Sequence, residues 1–484
     1  MAVATTAPVA ERALILGGRP VQTGDLLEVR RPYDDTVAAV VHRATPEIAE
    51  QAVQLAVDTF HNVTRAIPAH RRAELLHRLA DLVEANRERL IAEDIDETGK
   101  LRSEAHGEVD RTVATLHCAA EEALRIPGEI LTLDAVPTGV DRTGRVQRFP
   151  IGPILGITPF NFPLLLAAHK LGPAFAAGNS IVIKPASKTP LTTLSLAELA
   201  RKAGFPDGSV SVLPMAGAQA EALVRDDRFK VVTFTGSAEV GWGIKANAGL
   251  KRVTLELGGN GALIVHNDAD INAVAARIPF GGFLYSGQNC ISVQRVYVHR
   301  DVHDDFVNAV LPLLDDLKPG DPNDLETTLC PMIDADAVTR IMSWLDEAQA
   351  AGATIVTGGS ADGPFIEPTI VANANNGMKI VRDEVFGPVI AVIAYDSIDE
   401  AIDLVNDSDY GLQAGIFTND IRIIERAYRD IEVGGLIVND TNRWRVDHMP
   451  YGGVKRSGFG REGLKYAIEE MTEPKLLVVN LEDN

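Results

Sequence analysis

Apolar residues recur at helical spacing early in the chain and as short unbroken runs later, and this change of period divides the molecule. Thr45-Pro46 predicts a helix start, with threonine as N-cap and proline at the first helical position. Between His70 and Ile91, the residues Leu75, Leu76, Leu79, Leu82, Val83 and Leu90 fall on one helical face. The first 125 residues are therefore expected to be mainly helical after a short β start. From Gly128 to Pro150 the pattern changes to two extended runs with Pro137, Gly139 and Gly144 between them, which predicts a β-ribbon.

Strand and helix signals then alternate. Apolar runs at 153–157, 180–183, 209–213, 230–234 and 252–257 are separated by helical stretches such as Pro190 to Ala203. That rhythm predicts parallel βαβ units and an α/β protein with a doubly wound sheet. A second α/β series begins near 259, with strands expected at 294–298, 389–394, 412–417 and 435–438. A helix around 463–470 precedes a last extended run, Lys475 to Asn480. Neither this run nor the early ribbon has an obvious local partner, which suggests sheet pairing between subunits.

Composition narrows the class. The 484 residues suit about three domains of roughly 150 residues each, and 46% hydrophobic with 23% charged residues is the mixture of a protein with a large core. A formal charge of −21 argues against nucleic-acid binding, which needs clustered Lys and Arg. The uncharged run Phe149 to His169 is long enough to raise a membrane reading, but Pro150, Pro153, Pro159, Pro163 and Asn161 interrupt it, so no membrane role is expected. The first eleven residues lack a basic start followed by an apolar stretch. Three sparse cysteines (Cys118, Cys290 and Cys330) make a poor disulfide framework, which points to reduced thiols in a cytoplasmic protein.

Of these, Cys290 is the candidate nucleophile. It follows Gly287-Gln288-Asn289 and precedes a small polar Ser292, a loop able to expose the sulfur and offer it a backbone N–H. Cys118, in a helical stretch, and Cys330, before Pro331, take the structural role. Strand alternation puts Val253, Leu255 and Leu257 on one face and Thr254 and Glu256 on the other, so Glu256 ends a strand beside Gly258-Gly259 and faces a cleft. A thioester formed on a cysteine needs a base to activate water, and a poised glutamate can serve. Asn161 follows a buried strand in the turn Thr158-Pro159-Phe160-Asn161, where its amide could hold an oxyanion. No Gly-x-Gly-x-x-Gly follows any expected strand; instead Phe234-Thr235-Gly236-Ser237 ends a strand and opens a helix whose N–H groups could receive a pyrophosphate. Lys184, at the end of the strand 180–183, could reach ribose hydroxyls at the sheet's carboxyl edge. None of the candidates calls for a metal.

Together these segments resemble the aldehyde dehydrogenase superfamily. Thr158-Pro159-Phe160-Asn161, Lys184-Pro185-Ala186, Phe234-Thr235-Gly236-Ser237, Glu256-Leu257-Gly258-Gly259-Asn260, Gly287-Gln288-Asn289-Cys290, Glu384-Val385-Phe386-Gly387-Pro388 and Pro450-Tyr451-Gly452-Gly453 occur in family order over most of the chain. The resemblance implies that Cys290 attacks the aldehyde, that its backbone N–H and the Asn161 amide hold the oxyanion, and that Glu256 activates water after hydride transfer. It implies NAD or NADP contacts at Lys184, Ser187, Gly236, Ser237, Leu257, Glu384 and Phe386, with Phe160 where many members have Trp. It also implies a Rossmann-like dinucleotide-binding domain (1–125 and 149–258), an α/β catalytic domain (259–460), a β-ribbon oligomerisation arm (126–148 and 461–484), and a homodimer or homotetramer. Members that pass the thioester to coenzyme A typically lack this glutamate, and silent relatives usually lose the Cys or the Glu; this chain has both.

Two departures bear on specificity. NAD-preferring members often carry Glu three residues after the lysine; here Ser187 stands there, followed by Lys188, which should tolerate or favour NADP. The stretch from Glu108 to Glu122 resembles non-phosphorylating glyceraldehyde-3-phosphate dehydrogenases, where the residue matching Arg111 faces an anionic tail, but Asn289 replaces their Arg before the cysteine. Asn442 to Tyr451 more closely resembles lactaldehyde-type members. Phe162, His169 and Tyr451 fall at family pocket positions, and His169 with Arg111 or Arg443 would suit a small polar or anionic aldehyde.

Overall fold

The computed structural model describes residues 9–481. Its first large sheet has eight strands, and the five at its centre are parallel: Arg252–Glu256, Val231–Thr235, Ile154–Ile157, Ile181–Lys184 and Val210–Val212, in that spatial order. The chain builds outward from Ile154–Ile157 to one side, then returns to fill the other. The crevice between Ile154–Ile157 and Val231–Thr235 is thus the topological switch point, where open α/β sheets bind ligands. Antiparallel edges come from far away in sequence, Leu14–Leu16 with Arg19–Val21 on one side and Gly458–Phe459 on the other. The central strands are buried on both faces, which is why they read as continuous apolar runs rather than alternating ones.

The helix Pro163–Ala177 lies wholly inside, between the sheet and the helices Arg102–Ala123 and Leu191–Ala203. Proline opens it, and Glu108 accepts from the first free amides, Leu164 N at 2.9 Å and Leu165 N at 3.0 Å. Lys100 pairs with that same carboxylate, so a buried ion pair fixes the helix start. Thr45 caps the helix Pro46–Asn62 as expected, its side chain accepting from Ile48 N.

The second sheet has seven strands in the order Thr354–Thr357, Thr369–Ala372, Val389–Tyr395, Val293–His299, Gly261–Val265, Gln413–Phe417 and Gly435–Val438, parallel apart from the first pair.

Two expectations change at the arm. The terminal strand Thr472–Asn480 pairs antiparallel with Arg142–Pro150 of its own chain, from Thr472 opposite Pro150 to Asn480 opposite Arg142, and Glu129–Leu131 adds a third strand. Each run is thus the other's partner within the subunit. Residues 461–471 do not extend with the arm: the helix Leu464–Glu470 buries Leu464 and Ile468, with Met471 just beyond it, in the core of the first sheet's helical layer. Among the described residues no helix is long and apolar enough to cross a membrane.

Candidate active site

One cleft of about 820 Å³ collects the chemistry. Its walls are the segments that leave the carboxyl ends of the first sheet's strands (158–162, 184–187, 236–237, 256–258) and those that enter the amino ends of the second's (289–291 and 384–386). Cys290, Glu256 and Asn161 all line it.

The nucleophile candidate follows a tight turn. Tyr285 and Ser286 have φ of 53° and 48°, and Gly287 continues at 69°. Left-handed backbone is costly for side chains larger than glycine and persists only where the surroundings enforce it. Here Tyr285 N donates to Glu104 Oε1, Tyr285 Oη to the Thr98 carbonyl at 3.0 Å, and Ser286 Oγ to the Cys330 carbonyl. At Gly287 a Cβ would come 2.2 Å from the Gly387 carbonyl oxygen. The turn delivers Cys290 to the cleft with its sulfur 3.1 Å from the Tyr451 hydroxyl and 3.7 Å from Asn289 Oδ1. Burial pushes the thiol up to about 11, against the Tyr451 hydrogen bond, which works the other way.

Glu256 ends its strand 3% exposed, and neither carboxylate oxygen has a hydrogen-bond partner among the described residues. Burial, then the neighbouring Glu462, pushes its carboxyl well above the ordinary range. A carboxyl so raised can take up and release a proton nearer neutrality. Glu462 goes the other way: despite burial, Lys170 (3.2 Å), His169 and Arg445 hold it low.

The Asn161 amide donates to the Gln288 carbonyl at 3.1 Å, so it stands against the nucleophile's own loop. Phe160 meets Phe386 edge-on at 5.8 Å, and Phe162 meets Tyr285 at 6.1 Å. In the other arm of the cleft, Gly236-Ser237 precedes the helix Ala238–Asn247, and Ser237 makes no side-chain cap bond, which leaves the first-turn amides open. Lys184 and Ser187 line this arm, and burial pushes Lys184 down. Glu384 accepts from Gly259 N at 2.9 Å, and burial pushes it up to about 7. A Cβ at position 258 would fall 2.2 Å from Glu384 Oε2, so only glycine lets that carboxylate sit there. Leu257 also lines the wall. An elongated cleft with an open helix start at one end and a thiol at the other fits a dinucleotide laid along it.

The substrate candidates divide. Phe162, Tyr451 and Arg111 line the cleft, but Arg111 is engaged by Asp447 at 2.7 and 3.0 Å. His169 and Arg443 do not line it. His169 is buried with Nε2 3.0 Å from Asp447 Oδ1, and Arg443 turns away to the Phe280 ring and the Leu284 carbonyl. Lys188 is likewise taken, in an ion pair with Asp334.

Sequence reasoning missed Arg445. Its side chain is 8% exposed, its guanidinium stacks 3.6 Å from the centroid of the Tyr451 ring, and its Nε and Nη2 have no hydrogen-bond partner among the described residues. Burial opposes its charge, but Tyr451, Asp447 (3.7 Å), Glu462 (3.9 Å) and Glu256 together hold it protonated.

The aldehyde dehydrogenase family model matches residues 20–477. A 3-sulfolactaldehyde dehydrogenase of Priestia aryabhattai is 46% identical over 98% of this chain and 99% of its own length. Among solved structures, aldehyde dehydrogenase 21 from Physcomitrella patens, in complex with the reaction product succinate, superposes with a TM-score of 0.96 at 40% identity, covering 98% of this chain and 99% of that one. Betaine aldehyde dehydrogenase from Staphylococcus aureus in complex with NAD+ gives 0.93 at 32% identity, covering 98% and 95%.

Proposed function

As this chain belongs to the aldehyde dehydrogenase family, we propose that it oxidises a short aldehyde with an anionic tail, with Cys290 as nucleophile and Glu256 as general base. The observation that carries the anionic tail is Arg445, a buried guanidinium with two unpartnered nitrogens in the same cleft as Cys290. Two buried N–H donors left without acceptors carry a desolvation cost that an anionic oxygen would relieve.

The enzyme takes a nicotinamide dinucleotide, which when bound accepts the hydride from the aldehyde carbon. Lys184 and Ser187 would face the adenosine ribose, the amides after Gly236-Ser237 the pyrophosphate, and Glu384 the second ribose. Cys290 gives up its thiol proton to water and the sulfur bonds to the carbonyl carbon, while the Asn161 amide with the Cys290 N–H receives the negative oxygen. Loss of hydride leaves a thioester on Cys290. Glu256 then takes a proton from water as the water oxygen adds to the thioester carbon; collapse expels the thiolate and frees the acid. Phe160, Phe162 and Phe386 keep bulk water out of this space.

Ser187 carries no charge to repel a 2′-phosphate and Lys184 has no acidic partner among the described residues, which supports use of NADP as well as NAD. The outer strand of the arm leaves Leu476, Leu477, Val478 and Val479 42–53% exposed, which supports a homo-oligomer built through it.

The deciding experiment is a steady-state panel with both cofactors, using Cys290→Ala as the blank. Succinic semialdehyde should exceed butanal in kcat/KM by more than about tenfold, or roughly 1.4 kcal/mol. A preference for hexanal would refute the anionic tail, and acyl-CoA as the main product would refute hydrolysis.

A further inference from the structure

We propose that Tyr451 is a catalytic residue whose hydroxyl donates to the Cys290 sulfur, favouring the thiolate over the thiol as attack begins and again as the sulfur leaves the thioester. This rests on Cys290 being the nucleophile. The Tyr451 oxygen lies 3.1 Å from Sγ, and the residue is 3% exposed, so the contact is shielded from water.

The ring has little freedom to move away. Tyr451 exchanges two backbone hydrogen bonds with Glu462, N to carbonyl at 3.0 Å and carbonyl from N at 2.6 Å. On its face the Arg445 guanidinium sits 3.6 Å from the centroid. A cation against the π-face is held there by the ring's quadrupole and draws electron density from the phenol, which strengthens its O–H as a donor.

The direction of the effect follows from hydrogen-bond chemistry. A thiol is a weak acceptor, whereas a thiolate accepts strongly, so a fixed O–H stabilises the anion more than the neutral form. The other groups around the sulfur do not supply this. Burial opposes the thiolate first, and Glu384 and Glu256 oppose it further; the Tyr451 hydroxyl is the largest influence that favours it, ahead of Arg445. Asn289 presents an oxygen, which cannot donate. The same bond acts twice in a cycle. Once sulfur has bonded to the carbonyl carbon its acceptor strength is gone; when the tetrahedral adduct collapses, the electron pair returns to sulfur and the hydroxyl meets it.

Tyr451→Phe keeps the ring and the Arg445 stack and deletes only the donor. Cys290 alkylation by iodoacetamide, followed from neutral to alkaline pH with Cys290→Ala as background, reads the thiolate without any aldehyde. The profile should move to higher pH, with alkylation roughly three- to tenfold slower at pH 8, and thiolate ultraviolet absorbance should titrate with the same displacement. In turnover kcat should fall by a similar factor while KM for aldehyde changes less. A Tyr451→Phe profile that superimposes on the parent overturns the proposal while leaving the nucleophile assignment intact. Turnover retained by Cys290→Ala would overturn that assignment instead.

Discussion

Arg111 grips Asp447 through two contacts, Nη2 to Oδ1 at 2.7 Å and Nε to Oδ2 at 3.0 Å, so it faces the cleft with its charge already balanced. The same Oδ1 lies 3.0 Å from His169 Nε2. Two side chains from two helices of the first core therefore clamp the 442–451 loop of the second, which brings Arg445 and Tyr451 to the sulfur.

Asp447→Asn should loosen that clamp. Burial alone would raise the Asp447 carboxyl, but His169 and Arg111 hold it well below the usual carboxylate range. A depressed value means the folded state prefers the ion, so the stabilisation is complete above about pH 4 and is lost as pH falls through the depressed value. The variant should lose about 1–3 kcal/mol at neutral pH, since Arg111 is partly exposed. The gap in Tm should be steady from neutral pH to about pH 5 and close in stronger acid; equal melting at neutral pH would remove Asp447 as the clamp.

Arg445→Met should separate binding by charge. Loss of charge-assisted hydrogen bonds is worth about 1.5–3 kcal/mol, or roughly ten- to a hundredfold. KM for succinic semialdehyde should rise by that factor while KM for butanal stays within about threefold. Equal rises in KM for both aldehydes would take Arg445 out of substrate recognition.

Glu256→Gln should leave the first half of the reaction and stop the second. Mixing with aldehyde and cofactor should give a burst of about one reduced cofactor per site, with steady turnover down by more than about a hundredfold. The parent's deacylation should gain rate as pH rises through a limb above the ordinary glutamate range, because burial and Glu462 raise this carboxyl. Because the folded state binds that proton more tightly, the parent also loses stability as pH rises through the raised value, and the variant should not. A multiple-turnover rate equal to the parent's would exclude Glu256 as base.

Ser187→Glu should change the cofactor. A carboxylate in the adenosine arm repels a 2′-phosphate and accepts from a 2′-hydroxyl, so kcat/KM with NADP should fall more than about tenfold while NAD is spared. If both fall together, position 187 does not face the ribose.

The strands were legible because parallel strands buried on both faces read as apolar runs, and the meeting of Cys290, Glu256 and Asn161 in one cleft because each belongs to a segment in family order. That Arg445, and not Arg443, enters the cleft was not. Residues 439–450 form no regular element, so no period tells which side chain enters the cleft. His169 was misplaced for a related reason: every residue of Pro163–Ala177 is buried, so that helix has no polar face to orient it. The pairing of Arg142–Pro150 with Thr472–Asn480 spans more than three hundred residues, beyond any local signal.

The seam between the two sheets has a consequence for how such a protein can change. The proposed nucleophile, base and oxyanion donor stand at or just beyond strand ends, and the unsatisfied guanidinium lies in an irregular loop. On the proposed reading, substitutions at positions such as 187 or 445 would redirect the enzyme to another cofactor or aldehyde while both sheets keep their packing. New specificity is then available in single steps without first losing the fold.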